Sequence, residues 1–304
     1  MSPLPVFAPQ RLASHFELIA AALGRGEPRT RSALGRNLHF GYWDSAPREV
    51  NADGFARATE RLSSEVTGEL CLGRRGRLLD VGCGYGGTLA RLRQHRPELR
   101  LVGLDCGIGQ LARCREVVAH GHRYRGKSRA RLVAGDACRL PVARGSCDGI
   151  LAMECLFYLP SRELFFREVA RVLRPGGRLV ACDFVATPAL SRWLRTPLSG
   201  TGWLPPSRRI DIGFTERAYR ELAVECGLHT TRTRDITANI LPSYAFLRQL
   251  LCQLEETLAA RLYTSGDYRV GEWLARSGAL RYTILAFEKP ARARIPHEDH
   301  REKP

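Results

Sequence analysis

From residue 77 onward, short apolar runs alternate with helical stripes. Strand-like runs at Arg77–Val81, Leu101–Leu104, Ala130–Val133, Asp148–Met153 and Gly177–Phe184 are separated by helical stretches at Thr88–Arg96, Ile108–Ala119 and Glu163–Leu173. Apolar strands of this kind, interleaved with helices, predict an α/β fold whose mostly parallel sheet is covered by helices on both faces. Ahead of this region, Leu12, Phe16, Leu18, Ile19 and Leu23 mark a helix over residues 9–24. A second helix follows from Val50, where Phe55, Ala58, Leu62, Val66 and Leu70 recur with a helical period. After Phe184 the rhythm changes: residues 186–213 are rich in Pro, Gly, Ser and Trp, with room for one helix. Thr215–Cys226 reads as a helix stopped by Gly227, Thr230–Ile236 as a sixth strand, Pro242–Ser277 as largely helical and Arg281–Phe287 as the last strand. The expected organisation is an N-terminal helical region (1–72), an α/β body (73–290) with insertions at about 186–213 and 239–280, and a charged, disordered tail (291–304).

Composition narrows the class. A chain of 304 residues with 44% hydrophobic and 26% charged residues can bury a substantial core. No apolar run is long enough to cross a bilayer, so no stable membrane insertion is expected. The N-terminus lacks a basic region followed by an apolar core, which gives no secretory signal and the expectation of a cytoplasmic protein. The net charge of +16 raises a nucleic-acid reading. Against it, the only lysines are Lys127, Lys289 and Lys303, and the arginines are scattered rather than blocked. The densest cluster, from His120 to Arg131, falls between two predicted elements, as an exposed loop would. Ten cysteines form no CxxC pair and eight histidines no HExxH group, so no metal site is expected and reduced thiols are the simplest account.

The stretch Leu78-Leu79-Asp80-Val81-Gly82-Cys83-Gly84-Tyr85-Gly86-Gly87-Thr88 carries the chemistry. A strand runs into a loop with four glycines and then a helix, so backbone approaches a ligand closely and unpaired helix N–H groups face it. Gly82, Gly84 and Gly87 spell GxGxxG, and Asp105 ends the second strand roughly 20 residues on, a spacing that permits a nicotinamide or flavin site. Asp80 argues against that: an acid two residues before the first glycine would repel a pyrophosphate and suit a ligand with a positive amino group.

The run LLDVGCGYGG resembles the first motif of the class I S-adenosylmethionine-dependent methyltransferases. Leu-Asp-Cys at 104–106, Gly-Asp-Ala at 135–137 and Leu-Arg-Pro-Gly-Gly at 173–177 match further motifs in order. The resemblance implies a Rossmann-like, doubly wound, seven-stranded sheet with an antiparallel last strand. It also implies S-adenosylmethionine as cofactor, with Asp80, Gly82 and Gly84 by its methionine part, Asp105 on the ribose hydroxyls with Cys106 beside it, and Asp136 and Ala137 flanking the adenine. Upstream, Asn-Leu-His-Phe-Gly-Tyr-Trp-Asp (37–44) is similar to the entrance segment of small-molecule methyltransferases acting on tocopherols, sterols and other natural products. There it belongs to a helical lid, and the aromatic residue after Gly, here Tyr42, lies near the methionine moiety or substrate.

Methyl transfer from a sulfonium is an in-line displacement that depends on alignment, and a base is needed only where the nucleophile holds a proton of high pKa. Related enzymes place a histidine after the fourth strand; here Tyr158 stands in that position within Glu154–Ser161. Asp183, at the end of the fifth strand, and His39, on the lid, are the other candidates for the catalytic group. The aromatic residues of the two insertions suggest an apolar or amphipathic small-molecule acceptor, with O-methylation ahead of N- or C-methylation and no nucleic-acid partner. The alternatives are an RNA methyltransferase, a dehydrogenase, and a cofactor-binding protein without catalysis.

Overall fold

The computed structural model of the chain describes residues 15–47, 49–120, 130–196, 210–254 and 258–291. Five strands run parallel: β1 (Arg77–Val81), β2 (Arg100–Asp105), β3 (Arg131–Ala134), β4 (Cys147–Met153) and β5 (Leu173–Ala186). β7 (Leu280–Glu288) inserts antiparallel between β5 and β6 (His229–Asp235), giving the order β3-β2-β1-β4-β5-β7-β6. The order reverses between β1 and β4, so their carboxyl ends flank the crevice in which open α/β sheets bind ligands.

The inner strands divide their residues between two cores, one on each face of the sheet. On β5, Leu179, Ala181 and Val185 pack with Phe165, Phe166 and Val169 of α6 (Arg162–Val172) and Tyr219 of α8 (Glu216–Glu225). Val180, Cys182, Phe184 and Ala186 pack on the opposite face, against Phe55, Leu62 and Val66 of α3 (Ala52–Gly68) and Tyr244 and Leu247 of α9 (Thr237–Leu254). β4 has all seven residues buried, as a central parallel strand requires.

The ends of two elements differ from the sequence pattern. β5 starts at Leu173, ahead of the Pro-Gly-Gly turn, because Leu173 pairs with Cys147 and a bulge then restores the register at Gly149–Arg178. Gly176 takes φ +75° within that irregularity. Helix α9 begins at Thr237, five residues before Pro242; the Asp235 carboxylate accepts from the Thr237 amide and the proline is carried inside the helix.

The N-terminal region contributes α1 (His15–Gly24), α2 (Pro28–Leu34) and α3, and α9 pairs with α10 (Leu258–Arg276) before β7. Between α3 and α9 runs the extended segment 37–43. The Tyr42 amide donates to the Ala58 carbonyl of α3 (2.8 Å), and the Trp43 amide to the Asn239 carbonyl of α9 (2.9 Å). The Gly41 amide and the Trp43 indole N–H both donate to Ser243 Oγ (3.1 and 3.0 Å). A Cβ at Gly41 would stand 2.5 Å from that of Ala58, so only glycine lets the segment lie this close to α3. Among the described residues no helix is long and apolar enough to cross a membrane. The core of the basic cluster (121–129), residues 197–209 of the first insertion and the tail from 292 lie outside the described residues.

Candidate functional site

The glycine loop sits at the carboxyl ends of β1 and β2. Gly82 (φ +70°) and Gly86 (φ +77°) hold left-handed backbone, where a side chain would also collide: a Cβ would fall 2.6 Å from Cys155 Cβ at Gly82 and 2.3 Å from Cys114 Sγ at Gly86. At Gly87 a Cβ would overlap the side chain of Asn37, so the third glycine of the motif admits the entrance segment rather than a ligand. A Cβ at Gly84 would meet only Leu38 Cδ1 at 3.6 Å; this glycine faces open space under the segment.

Two carboxylates converge on the loop. Asp105 accepts from the amides of Gly84 (2.9 Å) and Gly107 (2.8 Å), tying the loop to the start of α5 (Ile108–His120). Asp80 is buried at 3% exposure, and no donor reaches its carboxylate among the described residues. Burial, and then the like charge of Asp105, push its pKa up to about 8. A buried acid facing a second acid with no cation is an incomplete electrostatic arrangement, and an ammonium-bearing ligand would complete it. The donor set therefore fits S-adenosylmethionine and disfavours a pyrophosphate.

Beyond Asp105, Cys106 is exposed, and Ile108 is 79% exposed although it opens a helix. Asp136 lies beside them on an exposed turn, its Oδ1 accepting from the Cys138 amide (2.8 Å), while the Gly135 amide donates to the Asp105 carbonyl (3.1 Å). Ala137 is buried in the core formed with α6 and α8. Asp80, Gly82, Gly84, Asp105, Cys106, Asp136 and Ala137 thus gather along one crevice.

The three candidate catalytic residues are not gathered in this way. Asp183 points to the face of the sheet opposite the entrance segment. It is fully buried, accepts from Tyr219 Oη and lies 3.7 Å from the Arg162 guanidinium, which in turn bonds Asp211. Burial pushes its pKa up to about 6 despite the Arg162 charge. His39 Nδ1 bonds the Phe40 carbonyl (2.8 Å), which makes it the protonated nitrogen, and Nε2 meets Ser63 Oγ (3.3 Å), itself 3.0 Å from Thr88 Oγ1. Burial lowers its pKa to about 4, so the ring is neutral with both nitrogens engaged. Tyr158 is half exposed, its ring against Phe157, and its pKa is raised by enclosure and by the charge of Glu154. Tyr42 turns toward α3, with the Arg61 guanidinium 5.8 Å from its ring centre; the inward aromatic of the segment is Phe40.

Phe40 heads a cluster of rings that includes Phe184 (5.8 Å), Tyr244 (4.9 Å) and Tyr282 (5.8 Å), with Phe157 against Phe184 and Tyr268 against Tyr244. Of the insertion aromatics, Tyr244 and Tyr268 belong to it. Phe246 stacks on Phe55 elsewhere, Trp193 is half exposed, and Trp203 and the Tyr263 side chain lie outside the described residues. Glu154 enters the cluster from the end of β4, accepting at Oε1 from the Phe40 amide (2.8 Å) and the Tyr282 hydroxyl. Glu154 and Ile108 are absent from the sequence-derived site; an acid directly after the apolar run Ile150–Met153, and an apolar residue just past Asp105, were the available signals.

Residues 79–181 match a family profile described as a methyltransferase domain. The chain is 36% identical over 271 residues to the 27-O-demethylrifamycin SV methyltransferase of Amycolatopsis mediterranei, covering 84% of this chain and 91% of the relative. Among solved structures, the [4+2]-cyclase SpnF superposes with a TM-score of 0.69 at 20% identity, over 91% of this chain and 97% of that one. Geranyl diphosphate C-methyltransferase from Streptomyces coelicolor A3(2), solved with Mg2+, geranyl diphosphate and S-adenosyl-L-homocysteine, superposes with a TM-score of 0.63 at 17% identity, over 91% and 98%.

Proposed function

The chain belongs to the class I S-adenosylmethionine-dependent methyltransferases of natural-product type, and we propose that it methylates a hydroxyl group of an apolar small molecule. The observation that carries this reading is the pairing of an electrostatically incomplete crevice, Asp80 with Asp105, with a neighbouring cluster of aromatic rings headed by Phe40. Bound S-adenosylmethionine supplies an activated methyl group; the chain's own task is to hold and align the reactants and exclude water. In this reading Asp80 neutralises the ammonium, Gly82 and Gly84 admit the methionine chain, and Asp105 uses its remaining lone pairs for the ribose hydroxyls. Cys106, Ile108, Asp136 and Ala137 border the adenine.

Residues 15–72 act as a lid and the α9–α10 pair as part of the acceptor cover. The hydroxyl preference rests on the relative, whose substrate is named as an O-demethyl compound. The fold alone does not choose, since similar folds carry a C-methyltransferase and a cyclase.

Two measurements test the reading. Calorimetry with S-adenosylhomocysteine is expected to show a single site that Asp105→Ala weakens roughly 10- to 100-fold, the value of one or two charged hydrogen bonds; undiminished affinity would remove Asp105 from the site. Incubation of S-adenosylmethionine with hydroxylated natural products, 27-O-demethylrifamycin SV first, is expected to yield a methyl ether. Methylation confined to nitrogen or carbon would overturn the hydroxyl assignment.

A further inference from the structure

We propose that Glu154, rather than Asp183, Tyr158 or His39, orients the acceptor hydroxyl and takes up its proton through Oε2. This deepens the hydroxyl-methylation reading and rests on it. Both donors that reach Glu154, the Phe40 amide and the Tyr282 hydroxyl, bond Oε1, and among the described residues no partner reaches Oε2. The residue keeps partial exposure although Phe40 and Tyr282 bond it and Tyr244 and Tyr268 lie near enough to feel its charge. Its backbone holds φ +48°, a left-handed conformation that costs a non-glycine residue. That conformation follows β4 directly: the Glu154 amide still bonds the Cys182 carbonyl (2.9 Å), continuing the β4–β5 ladder, and the next residue, Cys155, packs on Gly82 of the glycine loop. The carboxylate is therefore fixed between the cofactor crevice and the ring cluster, where an acceptor must stand.

The other three are occupied elsewhere. Asp183 is locked to Tyr219 and Arg162 on the far face, both His39 nitrogens are engaged, and the Tyr158 phenol is held protonated by its surroundings. In the proposed step the acceptor O–H bond breaks, its proton passes to Glu154 Oε2, and the oxygen keeps the electron pair. That pair forms the new bond to the methyl carbon, while the pair of the broken methyl–sulfur bond stays on sulfur. Glu154 leaves the cycle as the neutral acid and returns its proton to solvent on product release.

Burial pushes the Glu154 pKa up to about 7 against the opposing effects of Tyr282 and the Phe40 amide. The titratable groups around it are Tyr158, Tyr244, Tyr268, Tyr282 and Cys182, and the charge of Asp183 acts on it from the other face of the sheet. The phenols and the thiol stay neutral through this range, so a limb near pH 7 reports Glu154, and one near pH 6 would report Asp183.

The test compares wild type with Glu154→Gln on 27-O-demethylrifamycin SV, alongside calorimetry with S-adenosylhomocysteine. The expected result is a loss of kcat of roughly 10²–10⁴-fold, the usual range for a lost general base. Activity in the wild type should rise through about pH 7, and that limb should vanish in the variant while S-adenosylhomocysteine affinity stays within about threefold. Retained kcat with the limb intact would overturn the proposal. Should the wild type leave this probe unmethylated, that acceptor assignment fails by itself, and a second measurement decides on Glu154. Dicyclohexylcarbodiimide, an apolar reagent for protonated carboxyls, is expected to label Glu154 of the wild type at pH 6, as read by peptide mass mapping. An unlabelled Glu154 would mean that Oε2 does not face an accessible space, and would overturn the proposal without reference to any acceptor.

Discussion

Asp80 concentrates the residue-scale logic of this site. Its folded pKa of about 8 lies above the ordinary carboxyl value, so its contribution to stability is full in acid and is lost as pH rises through about 8. Asp80→Asn is therefore expected to raise the melting temperature of the ligand-free protein at pH 8–9 by roughly 2–4 °C. The same change should weaken S-adenosylmethionine binding about 10- to 100-fold, since it deletes the charge that meets the ammonium. A variant that is stabler and still binds normally would place the ammonium elsewhere. Arg162 gives the complementary case: buried at 5% exposure beside Asp183, it is the cation that makes that acid tolerable. Arg162→Leu is expected to cost about 3–5 kcal/mol in urea unfolding at pH 8. Part of that loss should return at pH 5, because Asp183, which titrates at about 6 beside Arg162 and higher without that cation, is protonated there. A loss independent of pH would show that lost packing, not the stranded carboxylate, dominates. That Asp80, Gly82, Gly84, Asp105 and Asp136 share the carboxyl-end edge of the sheet was legible in sequence because strand-end acids and glycines occupy fixed backbone positions. Glu154, Asp183 and Tyr42 were not, because which face a side chain takes depends on local φ and on what packs beside it. The left-handed turn at Glu154 sends its carboxyl into the ring cluster, whereas Asp183 follows the ordinary alternation of β5 to the other face.

At the scale of elements, periodicity located all seven strands; it missed α2, a seven-residue helix without an apolar stripe in a Gly- and Arg-rich stretch that reads as loop, and the other differences fell at ends. The early starts of β5 and α9 depend on a bulge and on a carboxylate cap, which hydrophobic pattern does not encode. The entrance segment is the element whose role changes most on folding. In sequence Tyr42 reads as the residue near the cofactor or substrate and His39 as a candidate base, yet His39, Gly41, Tyr42 and Trp43 anchor the segment to α3 and α9, and Phe40 turns inward. Gly41→Val should lift the segment, since its Cβ would fall 2.5 Å from Ala58 Cβ. The expected outcome is faster tryptic cleavage at Arg36, faster cofactor dissociation and an unchanged far-ultraviolet spectrum. Unaltered proteolysis and dissociation would deny the segment a lid role.

For the whole molecule, the question is what the charge of +16 is for. Many arginines are committed to ion pairs within the fold, among them Arg61 with Glu65, Arg77 and Arg174 with Asp148, Arg178 with Glu288, and Arg234 with Glu65. Association with RNA should accordingly be weak at physiological salt and fall steeply as salt rises, without methyl transfer to the RNA. Fold likeness to a cyclase and to a C-methyltransferase shows how little the scaffold says about the reaction, so the decisive evidence is the product. The most direct measurement supplies S-adenosylmethionine bearing a CD3 group with hydroxylated small-molecule acceptors and follows both products by mass spectrometry. One CD3 ether per S-adenosylhomocysteine formed is the result expected here. S-adenosylhomocysteine formed with the label on RNA or on nitrogen or carbon, or cofactor bound and never turned over across the acceptor panel, would contradict it.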